Sequence, residues 1–158
     1  MIEFRDGDLL QQEDVEMIVH QVNCKGAMKS GIAKQIREKY PDNFAHYKSF
    51  CTLHQQNNIE LGGKLLVTKE FNGKHIVNLF SQGNYGYDGR QYTNYSWFRN
   101  CIESVIPCAE VNQVKVIGIP YKIGCVRGGG DWTIIYNILE DTFKNSDLQL
   151  VICKYDKG

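Results

Sequence analysis

Val15-Glu16-Met17-Ile18-Val19-His20-Gln21-Val22-Asn23, running into Cys24-Lys25-Gly26-Ala27-Met28-Lys29-Ser30-Gly31-Ile32-Ala33, is the stretch on which the fold turns. Val15, Met17, Ile18, Val19 and Val22 make a near-continuous apolar run, the pattern of a strand covered on both faces. From Gly31 onward, Ile32, Ala33, Ile36 and Tyr40 fall at helical spacing. Strand, glycine-bearing loop and helix in succession predict one unit of an α/β sheet. The loop leaves the C-terminal end of its strand, where such sheets place their ligands. A helix N-terminus there offers unpaired N–H groups and the positive end of the helix dipole, which favour an anion.

The same pattern returns near the other end of the chain. Residues 114–119 read as a buried strand closed by Pro120. Gly124-Cys125-Val126-Arg127-Gly128-Gly129-Gly130-Asp131-Trp132 follows, and Ile135, Ile138, Leu139 and Phe143 mark a helix. Two such loops facing one cleft could hold a diphosphate from both sides, glycine letting backbone approach phosphate closely. Neither loop carries a Gly-Lys-Ser/Thr ending or a G-x-G-x-x-G, so neither a P-loop NTPase nor a standard dinucleotide dehydrogenase fits.

Further elements complete the outline. Residues 2–5 form a short strand ended by the turn Asp6-Gly7-Asp8. Pro41 breaks the first helix and opens the next, whose face is Phe44, Tyr47, Phe50 and Cys51. Residues 65–68 and 76–80 read as a hairpin around Asn72-Gly73. Tyr95, Phe98, Ile102, Val105, Ile106 and Ala109 give a long amphipathic helix, and residues 148–153 a last strand. The expected fold is an α/β sandwich with a mixed, mostly parallel central sheet, in one domain spanning 1–158.

Composition narrows the function classes. Lys+Arg and Asp+Glu balance at 18 each, so no chain-wide basic field points to nucleic acid or an anionic membrane. No stretch is long enough to span a bilayer and no apolar targeting run opens the chain, so a cytoplasmic protein is expected. The six cysteines show no C-x-x-C pair and no metal-like spacing with the four histidines. Reduced, mostly buried thiols are expected, with no metal and no cofactor.

Four motifs in order, Gly7-Asp8-Leu9-Leu10, His20-Gln21-Val22-Asn23, the loop from Gly26 to Ala33 and the loop from Gly124 to Trp132, resemble a macro domain over nearly the whole chain. The strand carrying His20 is most similar to the branch holding ADP-ribose-1″-phosphate phosphatases and hydrolases of ADP-ribosylated glutamate. The resemblance implies a three-layer α/β/α fold that binds ADP-ribose or an ADP-ribosylated substrate in a crevice. It places Asp8 at the adenine, Leu9 among the ligand-binding residues, and Gly26, Met28, Ser30, Gly31 and Ile32 under the diphosphate and distal ribose. It places Gly124, Cys125, Gly128, Gly129 and Gly130 over the diphosphate, and Asn23 and Gln82 at the distal ribose. Catalysis falls to Asp131, with His20 as a companion for proton transfer.

Plainer readings stand beside these. Asp8 could bond its own backbone, Asn23 could be a turn former and His20 a core group. Asp131 is a strong N-cap candidate for the helix after it, which is compatible with activating a water. Trp132 reads as core. The loop 82–95, with Tyr85, Tyr87 and Tyr92, could lie over the distal ribose as a lid. One departure stands out: the glutamate-directed hydrolases carry a nucleophilic lysine where this chain has Gln82. An amide cannot play that part, so a water-based mechanism is expected. The alternatives are a non-catalytic ADP-ribose reader and, remotely, an unrelated nucleotide-binding protein. A single copy without nucleic-acid or membrane partners is expected.

Overall fold

The computed structural model describes residues 1–84, 90–126 and 128–155. Six strands form one sheet in the order β1-β6-β5-β2-β4-β3. They are β1 (Ile2–Asp6), β2 (Met17–Asn23), β3 (Leu65–Lys69), β4 (His75–Gln82), β5 (Val116–Pro120) and β6 (Gln149–Lys154). All neighbours run parallel except β3, which returns antiparallel along β4 from the Asn72-Gly73 turn. A 3-10 turn (Leu9–Gln11) and the helices α1 (Gly31–Lys39), α2 (Pro41–Gln56), α3 (Tyr95–Val111) and α4 (Trp132–Phe143) complete the described elements. The expected boundaries move by one or two residues at several strand ends, and the 3-10 turn is an addition.

Alternation along β2 sorts the layers. Met17 and Val19 point to a cluster built with Phe98, Ile102, Ile135 and Leu139 of α3 and α4. Ile18 and Val22 point to the opposite face, against Ile36 and Tyr40 on one side and Tyr47 and Cys51 on the other. Every residue of β2 except Gln21 is buried, so the apolar run reflects cover on both faces. The three-layer sandwich follows. Both glycine loops leave the same C-terminal edge, from β2 and from β5.

All six cysteines are free thiols. No helix of the described residues is long and apolar enough to cross a membrane. Among the described residues no group of three or more His, Cys, Asp or Glu side chains could hold a metal ion. Tyr85 and Tyr87 of the expected lid lie outside the described residues.

Candidate functional site

At the C-terminal edge of the sheet a crevice of about 330 Å3 opens between the two glycine loops. One wall is Asn23, Ala27 and Lys29 through Ala33; the other is Pro120 through Gly124 with Val126 and Gly128; Gln21 and Gln82 line it from the ends of β2 and β4. Asn23, Ser30, Gly31, Ile32, Gln82, Gly124 and Gly128 are therefore brought together in one crevice.

The helix that opens onto this crevice differs from α3 and α4. Asn94 caps α3 by accepting from Trp97 N, and Asp131 caps α4 by accepting from Thr133 N. Ser30, in front of α1, makes no side-chain cap. The first-turn N–H groups of α1 are thus left facing the crevice without a side-chain acceptor, a ready anion site. Gly31 holds φ +60°, and a Cβ built there meets no atom within 4 Å. The space beside it belongs to the crevice.

The second loop is glycine-rich for another reason. A Cβ on Gly128 would stand 2.1 Å from Thr93 Oγ1, one on Gly129 2.4 Å from the Arg90 carbonyl oxygen, and one on Gly130 2.8 Å from the Gly124 carbonyl oxygen. These glycines admit the incoming 90–93 segment and the loop's own backbone. Gly129 and Gly130, with Cys125, shape the turn from outside the crevice lining.

Thr93 joins these parts. Its hydroxyl donates to the Gly124 carbonyl at 2.7 Å and accepts from Gln21 Nε2 at 2.9 Å, while its backbone N–H donates to Gly128 O at 2.9 Å. Gln21 Nε2 also donates to Gln82 Oε1 at 3.0 Å, and Ser81 Oγ donates to Gln21 Oε1 at 2.7 Å. Gln82 Nε2 donates to the Asn84 carbonyl at 2.6 Å. One polar braid so fixes both strand ends and the second loop. Sequence reading missed Gln21, Thr93, Ser81, Lys29, Tyr121 and Lys122 here; only the polar character of Gln21 at the end of an apolar strand signalled it.

Several expected residues lie elsewhere. His20 is fully buried beneath α2, not at the crevice. Its register partner on β4 is Asn78, whose Oδ1 accepts from His20 Nε2 at 2.7 Å. Asn78 Nδ2 donates to Leu66 O and to Asn43 Oδ1, which fixes that oxygen as the acceptor and puts the histidine proton on Nε2. The Nδ1 atom has no partner, and burial holds the imidazole neutral, its pKa lowered to about 4. This placement gives no support to the catalytic role expected of His20. Asp8 Oδ1 accepts from Leu10 N at 3.0 Å and caps the 3-10 turn; neither it nor Leu9, which is core, lines the crevice. Met28 is core, and Gly26 backs onto α2 at Cys51.

Asn23 lines the crevice, yet its amide organises the loop: Nδ2 donates to Ala27 O at 2.8 Å, and Oδ1 accepts from Lys25 N and Tyr47 Oη, both at 2.9 Å. Asp131 is exposed, its Oδ1 committed to the cap, three residues beyond Gly128. No carboxylate or imidazole is among the described residues that line the crevice. The thiols of Cys24 and Cys125 are pushed up by burial to about 12 and about 11, so neither is a thiolate nucleophile at neutral pH.

Comparison with known proteins identifies the family. The family model of the Macro domain covers residues 19–139. A protein of Mycobacterium tuberculosis named DNA ADP-ribosyl glycohydrolase is 30% identical over 156 residues, 96% of this chain and 42% of its own length. The chain thus spans about two fifths of that curated relative. A protein of Aspergillus fumigatus named ADP-ribose 1″-phosphate phosphatase is 44% identical over 46 residues, 29% of this chain and 23% of its own. The solved macrodomain of Mycobacterium tuberculosis DarG superposes with a TM-score of 0.80 at 28% identity, covering 97% of both chains. The chain belongs to the macro domain family.

Proposed function

We propose that the crevice binds ADP-ribose and that the chain hydrolyses the bond between the distal ribose and its substituent. The observation that carries this is the uncapped first turn of α1 facing the Gly124–Gly128 turn across the crevice. The diphosphate lies between them, with Lys29 and Lys122 adding positive charge. The adenosine extends toward Pro120 and Tyr121, and the distal ribose toward Asn23 and Gln82. The relatives named above are hydrolases of ADP-ribose linkages, and the one aligned along the chain is named for DNA, which favours a nucleic-acid acceptor over phosphate.

Water is the nucleophile in this reading. It adds to the anomeric carbon of the distal ribose as the bond to the acceptor breaks, and its proton passes through the Asp131 carboxylate to the leaving group. Asn is nearly as good an N-cap as Asp but is no base. Asp131→Asn should therefore keep stability and ADP-ribose affinity yet lose turnover by about 10²–10⁴-fold. Asp131→Ala should in addition lower stability by about 1 kcal/mol through the lost cap. Full activity of the Asn variant in an assay of ADP-ribose release would leave Asp131 as a cap alone.

A second reading is a non-catalytic ADP-ribose reader. It is favoured by Gln82 at the lysine position and by a described crevice lining without acid or imidazole. Tight ADP-ribose binding without release from any ADP-ribosylated acceptor would select it.

A further inference from the structure

Two cations gather at the adenosine end of the crevice, around Tyr121. The Tyr121 backbone N–H donates to Cys153 O at 2.8 Å, which ties the C-terminal ends of β5 and β6 together there. The Trp132 ring meets the Tyr121 ring edge-on at 5.1 Å and holds its plane. Two exposed lysines share that ring: Lys122 Nζ stands 5.7 Å from its centroid and Lys154 Nζ 5.5 Å. Among the described residues no carboxylate is within ion-pair distance of either ammonium group, Asp6, the register partner of Lys154, included.

Lys122 stands there against the preference of its own backbone. It is the third residue of the turn closed by Ile123 N donating to Pro120 O at 3.2 Å, and its φ is +59°. Glycine or asparagine normally fills such a position, because a Cβ crowds left-handed backbone. The other described non-glycine residues with positive φ, Asn58 and Gln113, directly follow the C-caps of α2 and α3, where left-handed backbone is an ordinary way to end a helix. No described helix ends at Lys122.

We infer that Lys122 and Lys154 form a second anion subsite, which takes a phosphate monoester on the adenosine ribose. The ligand of that chemistry is ADP-ribose 2′-phosphate, the ADP-ribose unit of a 2′-phosphorylated nicotinamide dinucleotide. The inference rests on the ADP-ribose reading of the crevice, which extends the adenosine toward Pro120 and Tyr121. Of the two crevice lysines counted with the diphosphate, Lys122 is the one whose charge stands over Tyr121. Two like charges gathered at one ring repel each other, and a dianion held by both removes that cost. Each ammonium group is a point charge with three donors on a flexible stem, so both can turn onto the same phosphate.

The test is calorimetric titration of the whole chain with ADP-ribose and with ADP-ribose 2′-phosphate, at low and at physiological salt. The 2′-phosphate should bind about tenfold more tightly, and the gap should narrow as salt rises. Lys154 lies outside the crevice lining, so Lys154→Gln should leave ADP-ribose affinity unchanged while closing most of the gap. Lys122→Asn suits left-handed backbone and folds; read as the ratio of the two affinities, it should close the gap as well. Equal or weaker binding of the 2′-phosphate by the parent overturns the subsite, as does a gap that survives either substitution. If the parent binds neither ligand, the crevice reading fails instead, and the subsite with it.

Discussion

His20 enters the folded chain without its proton. Its Nδ1 is buried and unpartnered, so a proton there would find no acceptor, and the pKa falls from 6.5 to about 4. The unfolded chain binds a proton as pH drops through 6.5 while the folded chain does not. The stabilisation from a neutral His20 is therefore complete above about pH 6.5 and is lost progressively down to about pH 4. The shift corresponds to at most about 3 kcal/mol. Denaturant unfolding between pH 7 and 4.5 should show this decline in the parent and a flatter profile in His20→Leu. An unchanged slope in the variant would mean that other groups carry the dependence. Thr93 is the other residue with leverage, because one hydroxyl serves Gly124 O and Gln21 Nε2. Thr93→Val keeps the shape and removes both bonds, at a cost of about 1–2 kcal/mol in stability. Displacement of the Gly124–Gly128 turn should also weaken ADP-ribose by about tenfold. Thr93→Ser should restore both, and a Val variant that binds like the parent would reduce Thr93 to a packing role.

At the level of elements, the N-terminus of α1 separates from those of α3 and α4. The latter two are closed by Asn94 and Asp131; the first is left open where the crevice begins. Gly31 and Gly129 both have positive φ, but only Gly129 abuts protein. Gly31→Ala should therefore fold with a penalty of about 1–2 kcal/mol for the left-handed backbone, a few degrees in Tm, and lose ADP-ribose binding because the methyl enters the anion site. Gly129→Ala should instead disrupt the second loop by collision with Arg90. Calorimetry paired with thermal unfolding distinguishes the two, and a Gly31→Ala protein with parental affinity would remove α1 from the phosphate site.

For the whole molecule, the elements were legible because their patterns are local. The run in β2, Pro41 at the start of α2, the Asn72-Gly73 hairpin and Asp131 ahead of α4 each report a short-range physical need. The 3-10 turn was not legible, nor was the braid of Gln21, Ser81, Gln82 and Thr93, whose members are up to 72 residues apart. Glycine was ambiguous: at 31 it leaves room for a ligand, at 128–130 it admits another part of the chain, and the letters are the same. His20 illustrates parity. It shares a face with Ile18 and Val22, both buried, so alternation along β2 put it under α2 even though the family resemblance suggested chemistry. The central claim remains that one crevice reads a diphosphate with sugar on its far side. Calorimetric titration of ADP-ribose, ADP and AMP against the parent protein tests it most directly. ADP-ribose should bind clearly more tightly than ADP, and ADP more tightly than AMP; equal affinity for ADP and ADP-ribose, or no binding of either, would contradict it.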